Sequence, residues 1–209
     1  MANTRDPILN PIPILSLHPT QMTVGMREVK EKRQRWREHA SKKKQAELLG
    51  KHTIPVVLGP QNRHYVIDHH HLALALHDEG IKNILVTIVA DLTMVDPDAF
   101  WGVLDNHRWV YPYDAKGERR HFRDIPKDVT KLKDDPFRSL AGELRRVGGY
   151  AKDTIPFSEF QWADFLRRRM SRKSVEENFA KSIEKALALA KSRDAIYLPG
   201  WCGAASDSE

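Results

Sequence analysis

Residues 65–81 have the sequence YVIDHHHLALALHDEGI, in which a short strand pattern passes directly into a helix pattern. The first three residues favour a strand, and the alternating leucines and alanines favour a helix. Gly80 is a typical residue just past a helix C-terminus. We expect Asp68 to cap the helix with its carboxylate and the three histidines at 69–71 to occupy its first turn.

The segments on either side complete a small α/β unit within residues 12–90. The turn residues Gly-Pro-Gln-Asn at 59–62 separate two apolar runs and therefore predict a hairpin. Residues 26–49 contain no glycine or proline and predict a helix. The predicted strands are 12–17, 55–58, 64–67 and 84–89, which gives the order strand, helix, hairpin, helix, strand.

The strand signal nearly vanishes after residue 91, and the rest of the chain is mainly helical. Helices are predicted at 96–106, 136–147, 158–170 and 174–193, and the last one is opened by a capping box of Ser174 and Glu177. The predicted fold class is α/β, with a small mixed-sheet core followed by a mainly α-helical C-terminal extension. We place the core at 1–91, the extension packed on it at 92–194, and a loose tail at 195–209.

The composition is that of an ordinary soluble globular protein, with 41% apolar and 30% charged residues. The single cysteine, Cys202, excludes a disulfide within the chain and favours a reducing compartment. The chain has neither an apolar leader at its start nor an apolar run of about 18 residues. We therefore expect a cytoplasmic protein with no membrane partner.

The formal net charge of +6 suits an anionic partner, which can be nucleic acid, a nucleotide or another phosphorylated molecule. Positive residues are clustered at 30–44 and at 167–173. These clusters are either solvated helix faces or contacts to a DNA backbone, with the helix 26–49 as the main DNA candidate. Charge alone does not separate the two readings.

The start of the helix after Ile67 is an expected anion site, because its first N–H groups have no partner inside the helix and its dipole is positive there. Three consecutive histidines cannot converge on one metal ion, since successive helical side chains point about 100° apart. They do bring titratable imidazoles to the site. A metal ion there would need Asp68 and a distant ligand.

Residues 12–90 resemble the ParB/sulfiredoxin superfamily in the order of elements and in the segment 65–81. Free-serine kinases of that superfamily carry Asp-Gly-His-His-Arg at the corresponding turn, and Asp68, His70 and His71 match this pattern. His69 stands where the resemblance implies glycine, and Leu72 stands where it implies arginine. Sulfiredoxin chemistry is excluded by the same comparison, because it requires a cysteine at the turn.

Within that superfamily the chain most resembles the ParB-like putative nucleases, and this resemblance extends over most of residues 10–170. It includes DPFRSLA at 135–141 and FSEFQWADF at 157–165. The segment 19–27 resembles the first ligand-binding box of the superfamily, from which only Gln21 and Arg27 are carried over. Gly-Glu-Arg-Arg at 117–120 spells the ParB motif, but no strand precedes it, and it predicts a charged turn.

These observations define a set of candidate site residues. We expect His70 or His71 to act as the general acid/base, and Asp68 to orient an imidazole or a Mg²⁺ ion that arrives with a nucleotide; no tightly bound cofactor is implied. Asp135 is a second candidate metal ligand; the alternative, which the residue types favour, is a buried structural brace between Asp135 and Arg138. The predicted ligand- or phosphate-binding residues are His69, Gln21, Arg27, Arg138 and Trp162, of which Trp162 is otherwise a core residue.

Three functions remain open from the sequence. The first is a hydrolase or phosphotransferase that binds a phosphorylated ligand or nucleotide at the Asp-His-His-His turn. The second is a DNA-binding protein or nuclease, and the third is a non-catalytic module that binds an anion or a protein partner. The apolar stripe of helix 174–193 is suited to packing or to a homodimer contact.

Overall fold

The computed structural model describes residues 11–38 and 53–203, which fall into two compact units. The first unit contains the described residues up to Met22, those of Val29–Tyr113, and Arg119–Lys133. The second contains Thr23–Glu28, Asp114–Glu118 and the described residues from Asp134 onward. Mixed sheets and helices confirm the predicted α/β class with a helical C-terminal region, whereas the boundary predicted near residue 92 stays a prediction.

The described strands are β1 (Ile12–Pro13), β2 (Leu17–Pro19), β3 (Thr23–Val24), β4 (Ile54–Gly59), β5 (Arg63–Val66), β6 (Asn83–Ile84), β7 (Val86–Asp91) and β8 (Lys133–Asp134). In the first unit, a four-stranded sheet has the order β2-β5-β4-β7. β4 and β5 form the predicted antiparallel hairpin, while β2 runs parallel to β5 and β7 parallel to β4. The carboxyl ends of β2 and β5 therefore meet at one edge of the sheet.

The described α-helices are α1 (Met26–Glu38), α2 (His70–Asp78), α3 (Pro97–Asn106), α4 (Pro136–Arg146), α5 (Ser158–Arg167), α6 (Arg172–Glu177) and α7 (Phe179–Lys191). The predicted helix 26–49 is observed as far as Glu38, and its remainder lies outside the described residues. Asp96 caps α3, because its carboxylate accepts a hydrogen bond from the N–H of Asp98 at 2.8 Å.

The strand predicted at 12–17 is interrupted. A 3₁₀ helix at Ile14–Ser16 separates β1 from β2, and the hydroxyl of Ser16 donates a hydrogen bond to the Pro13 carbonyl at 2.7 Å. β2 then continues to Pro19, although we expected the strand to end before that proline. Proline is tolerated there because it is the last residue of the strand.

The core of the first unit includes a cluster between the sheet and α3, formed by Val57, Tyr65, Phe100, Leu104, Val110 and Ile125. Gly59 lies against this cluster, and a Cβ atom at residue 59 would come within 2.6 Å of the Phe100 ring. Close packing therefore requires glycine at residue 59, which ends β4 and is the first residue of the predicted turn. The hairpin and the helix α3 are in this way fixed to each other.

The second unit is built on α4, α5 and α7, whose apolar faces enclose a core that includes Trp162, Leu144 and Ala186. The helix predicted at 174–193 is broken at Asn178, whose side chain accepts a hydrogen bond from the N–H of Lys181 and so starts a new helix. Ser171, and not Ser174, caps the preceding helix.

The described part of the predicted tail packs into this core. Leu198 is buried, and the Pro199 carbonyl accepts a hydrogen bond from the indole N–H of Trp162 at 2.8 Å. Residues 195–203 are therefore part of the second unit and not a loose end. Residues 204–209 lie outside the described part of the chain.

Candidate functional site

The predicted strand-to-helix turn is present, but its cap differs from the prediction. α2 begins at His70, and the residue before it, His69, is the N-cap with φ 64° and ψ 23°. Asp68 does not cap the helix, because its carboxylate instead accepts a hydrogen bond from the N–H of His69 at 2.6 Å. The glycine that the resemblance implied at residue 69 is thus explained: the chain needs a left-handed conformation there.

His70 is buried, with 2% of its surface exposed. Its Nε2 atom accepts a hydrogen bond from the N–H of Thr20 at 3.1 Å, and its ring is also hydrogen-bonded to the Val66 carbonyl. Burial above all, and then the neighbouring His69, lowers the pKa of His70 to about 3. Both ring nitrogens are therefore hydrogen-bonded within the protein. The ring holds the start of α2 against Thr20 and Val66, and it has no nitrogen left for a substrate.

Thr20 completes this anchor. Its hydroxyl donates a hydrogen bond to the Val66 carbonyl at 2.7 Å, so this carbonyl accepts bonds from both Thr20 and His70. In the parallel pair β2 and β5, Pro19 lies opposite Val66. The ends of two strands and the start of α2 are therefore tied together by one threonine and one histidine.

His69, in contrast, is exposed and has a defined tautomer. Its Nδ1 atom lies 3.2 Å from the carbonyl oxygen of Thr53, and a carbonyl oxygen can only accept, so Nδ1 carries the proton. In the neutral ring Nε2 is then the proton acceptor, and it lies 3.9 Å from the Asp68 carboxylate. The side chains of His69 and Asp68 are 43% and 77% exposed, so a ligand from solvent can reach both.

Two further threonines support this end of the sheet. The hydroxyls of Thr53 and Thr87 are 2.6 Å apart, and Thr53 also provides the carbonyl that fixes the His69 ring. Thr20, Thr53 and Thr87 were not predicted from the sequence, because a single threonine beside a strand is explained by β-propensity alone. Their shared position at the ends of strands was the pattern in the sequence that could have indicated them.

His71 and Gln21 belong to the same unit as the turn, and both are buried. Gln21 directly follows Thr20 and forms an isolated parallel bridge with Tyr111. His71 is the second residue of α2. The sequence-predicted candidates Asp68, His69, His70, His71 and Gln21 are thus all placed in the first unit.

The other predicted ligand residues lie in the second unit. The guanidinium of Arg27 lies 3.8 Å from the centre of the Phe179 ring, and Arg138 donates a hydrogen bond to Glu28 at 3.3 Å. Trp162 is fully buried and stacks on Tyr150 with ring centres 4.3 Å apart. These contacts are typical of packing within a core and its rim.

Asp135 is a buried brace at the start of α4. One carboxylate oxygen accepts a hydrogen bond from the N–H of Phe137 at 3.0 Å, and the other accepts one from Arg167 at 2.6 Å. Burial raises the pKa of Asp135, and the positive charge of Arg167 opposes this shift. The predicted Asp–Arg brace exists, but the guanidinium that pairs with Asp135 is that of Arg167, whereas Arg138 contributes only its backbone N–H.

The described residues do not fit a protein-bound metal. Within the described ranges no group of three or more His, Cys, Asp or Glu side chains is arranged to hold an ion. Both oxygens of Asp135 are occupied by protein donors. Asp68 is the exposed candidate, and one carboxylate suits only a Mg²⁺ ion that is carried mainly by the phosphates of a nucleotide.

Several predicted DNA-contacting arginines are paired with carboxylates. Arg33 and Arg37 of α1 both donate to Glu79 at 2.7 Å, and hydrogen bonds from Arg37 and then Arg33 lower the pKa of Glu79 to about 2. Arg167 pairs with Asp135 and Asp164. The carboxylates partly neutralise these guanidinium groups, so the arginines are less available to DNA phosphates than the sequence alone indicated.

The Gly-Glu-Arg-Arg segment at 117–120 begins in a turn, as predicted. Within residues 114–118 the N–H of Gly117 donates to the Asp114 carbonyl at 2.9 Å, and Gly117 has φ 78°. No helix begins at this segment. The motif therefore lacks the strand-to-helix context that gives a helix start its anion-binding amides.

None of the helices in the described ranges combines the length and the apolar character that crossing a bilayer requires.

A family model with the description "Putative ParB-like nuclease" matches residues 10–168. The crystal structure of protein Atu1540 from Agrobacterium tumefaciens is similar to this chain, with 51% sequence identity and a TM-score of 0.86; the match covers 94% of this chain and 98% of that one. No curated protein matches the chain.

Proposed function

This chain belongs to the ParB-like family described as "Putative ParB-like nuclease", and from that premise we propose that its turn at residues 68–71 binds a phosphorylated ligand and hydrolyses or transfers the phosphoryl group. The observation that carries the proposal is the His69 imidazole, which the Thr53 carbonyl holds with its proton on Nδ1. This arrangement leaves Nε2 as a proton acceptor on His69, the exposed residue directly before the helix.

The helix start supplies the anion site in this proposal. The first intrahelical hydrogen bonds are made by the N–H groups of Leu72 and Ala73 to the His69 carbonyl. The N–H of His70, the first residue of α2, precedes these bonds, and such an N–H is one that a helix leaves for a cap or an anion. The helix dipole adds further attraction for a phosphate group at the same place.

His69 is the proposed general base. Its Nε2 atom takes a proton from an attacking water molecule, the new P–O bond forms, and the ester P–O bond breaks. The same imidazole then returns the proton to the leaving oxygen, so the products are a phosphate and an alcohol. Asp68, beside the ring, stabilises the imidazolium that exists between the two proton transfers.

The catalytic role predicted for His70 is not part of this proposal. His70 is buried and neutral, and it donates and accepts only within the protein. We assign it a positioning role, because it holds the turn against Thr20. His71 has no role in the proposed step, because it is buried whereas His69 is exposed.

A panel of phosphate esters tests the proposal. It contains nucleotides, p-nitrophenyl phosphate and bis-p-nitrophenyl phosphate, each with and without Mg²⁺, and the readouts are melting temperature and turnover. His69→Gly keeps the left-handed turn but removes the imidazole, so we expect turnover to fall about 10²- to 10⁴-fold with little change in KM. Added free imidazole should restore part of the loss.

His107→Ala, which removes an exposed histidine of the same unit, is the matched control and should leave turnover unchanged. Ligand binding with full turnover in His69→Gly would assign the turn to a non-catalytic anion-binding module. Neither a melting shift nor turnover with any ester of the panel would remove the proposal.

Nucleic acid is the second candidate ligand, because the family description names a nuclease and the net charge is +6. A phosphodiester presents the same chemistry to the turn as a phosphate ester does. Binding to duplex or single-stranded DNA should then weaken steeply as salt is raised. A flat salt response together with nucleotide turnover would favour the small phosphorylated ligand.

A further inference from the structure

A concave site lies in the first unit, at the opposite end of α2 from the turn. A cavity of about 540 Å³ opens beside the last turn of this helix. Its lining includes Leu15, His77, Ile81 and Lys82. The volume falls in the range of small-molecule sites, and none of the lining residues belongs to the turn at 68–71.

The walls of the cavity are held in place by backbone contacts. β1 pairs with β6, so that Pro13 lies opposite Asn83, and the N–H of Ile14 donates to the Lys82 carbonyl at 2.9 Å. The two sides of the cavity are thus tied to each other. A site built in this way needs little rearrangement when a ligand binds.

The cavity has an apolar body that solvent can reach. Leu15, in the 3₁₀ helix between β1 and β2, is 60% exposed although it is a large apolar residue. Ile81 contributes a second apolar surface to the lining. Binding is favoured when an apolar ligand displaces water from walls of this kind, because apolar surface is then removed from water.

The polar part of the lining is basic. His77 and Lys82 are the titratable side chains among the lining residues, which contain no Asp or Glu. The Nδ1 atom of His77 is buried and makes no hydrogen bond to another described residue. The nearby Asp78 carboxylate is 3.5 Å from Nδ1 but is also paired with Arg33 at 3.4 Å.

We propose that this cavity binds a small amphipathic anion, with its apolar body against Leu15 and Ile81 and its carboxylate or similar acidic group near Lys82 and His77. The assignment follows from charge complementarity, since a ligand with an apolar body and a positive group would meet two basic side chains. The site is independent of the phosphoryl chemistry proposed for the turn.

Calorimetric titration of the full chain with sodium octanoate and with octan-1-ol tests the anionic group directly. We expect one octanoate site per chain and binding of octan-1-ol at least about tenfold weaker. Lys82→Glu should weaken octanoate binding about tenfold or more. Lys127→Glu makes the same change of charge at an exposed lysine of this unit outside the cavity lining and should leave the affinity unchanged.

Leu15→Glu is a second variant, in which a carboxylate is placed at an exposed position of the lining, and it should also weaken octanoate binding. The proposal is overturned if octanoate does not bind at about 1 mM. Equal effects of Lys82→Glu and Lys127→Glu, or equal binding of octan-1-ol, overturn it as well. A dimer that dissociates in Leu15→Glu, without octanoate binding, would assign the cavity to a second copy of the chain.

Discussion

The Nε2 atom of His70 accepts a hydrogen bond from the backbone N–H of Thr20 at 3.1 Å, and this bond joins residues that are 50 positions apart in the chain. It connects the end of β2 to the first residue of α2. The same imidazole is buried and neutral, so its contribution is to the position of the turn. The exposed chemistry of the turn then belongs to the residues just before it, Asp68 and His69.

Replacement of His70 tests this structural role. His70→Ala removes a buried ring and leaves the Thr20 N–H and the Val66 carbonyl with one partner fewer, so we expect unfolding free energy to fall by about 2–4 kcal/mol. His70→Gln retains an acceptor and should recover part of the loss. Urea denaturation measures both variants, and an exposed control, His107→Ala, which loses one stacking contact with Trp109, should cost less than about 1 kcal/mol.

The pH dependence of stability follows from the lowered pKa of His70. The native ring stays neutral down to about pH 3, whereas the unfolded chain takes up a proton below about 6.5. The unfolded state therefore binds more protons in this window, and stability falls as pH is lowered from about 6.5, by at most about 1.4 kcal/mol per pH unit.

The pKa values of His18 and His64 are also lowered, mainly by burial, and they act in the same direction. Denaturation midpoints between pH 7.5 and 5.5 should therefore decrease for the native chain. The decrease should be smaller for His70→Gln, which removes one of these groups. An equal decrease in both proteins would contradict the assignment of a buried, neutral His70.

The left-handed conformation of His69 predicts a specific order of stability among variants. His69→Gly relieves the cost of a side chain at φ 64° and should be neutral or stabilising by up to about 1 kcal/mol. His69→Val, with a β-branched side chain, should be about 1–2 kcal/mol less stable than His69→Gly. Thermal unfolding of the two variants decides this; similar stabilities would mean that the turn is not left-handed in solution.

The buried pair of Asp135 and Arg167 should be sensitive to loss of one partner. Asp135→Ala leaves the Arg167 guanidinium with less compensation and removes the cap of α4, so we expect a loss of about 3–5 kcal/mol. Asp194→Ala, at an exposed carboxylate 3.8 Å from Arg169, is the control and should cost less than about 1 kcal/mol. If Asp135 bound a metal instead, Mg²⁺ would stabilise the native chain but not Asp135→Ala.

The contacts of α1 give a prediction about nucleic acid. Glu79→Gln removes the carboxylate that engages Arg33 and Arg37, so their positive charges become available to an external phosphate. If α1 contacts DNA, this variant should bind duplex DNA more tightly and with a steeper dependence on salt. Unchanged binding, measured by fluorescence anisotropy at several salt concentrations, would remove α1 from the interface.

Much of the first unit could be predicted because its signals are local. The turn chemistry at 59–62 sets the hairpin, and Asp96 followed by Pro97 marks the start of α3. The strand-to-helix transition at 65–81 is likewise a change of local propensity.

The break at Asn178 was missed because the apolar stripe continues across it, while the hydrogen bond that starts a new helix depends on one side chain.

The roles of the three histidines could not be assigned in the same way. They are identical residues in consecutive positions, and their order along the chain carries no information about which one is buried. Burial of His70 depends on Thr20, and exposure of His69 depends on a left-handed backbone and on the Thr53 carbonyl. The resemblance to an Asp-Gly-His-His-Arg pattern did indicate that glycine is usual at residue 69, but neither the left-handed backbone there nor the role of the histidine side chain was predicted from it.

The amino-acid pattern alone was enough to predict the mixed α/β class and a turn of Asp and His side chains at a helix start, because propensity, turn residues and helix-start amides act over a few neighbouring positions. It could not predict which imidazole is open to solvent, or which arginines already have carboxylate partners. Those outcomes depend on hydrogen bonds and burial between segments far apart in the chain, so they exist only once the sheet and the helices have packed.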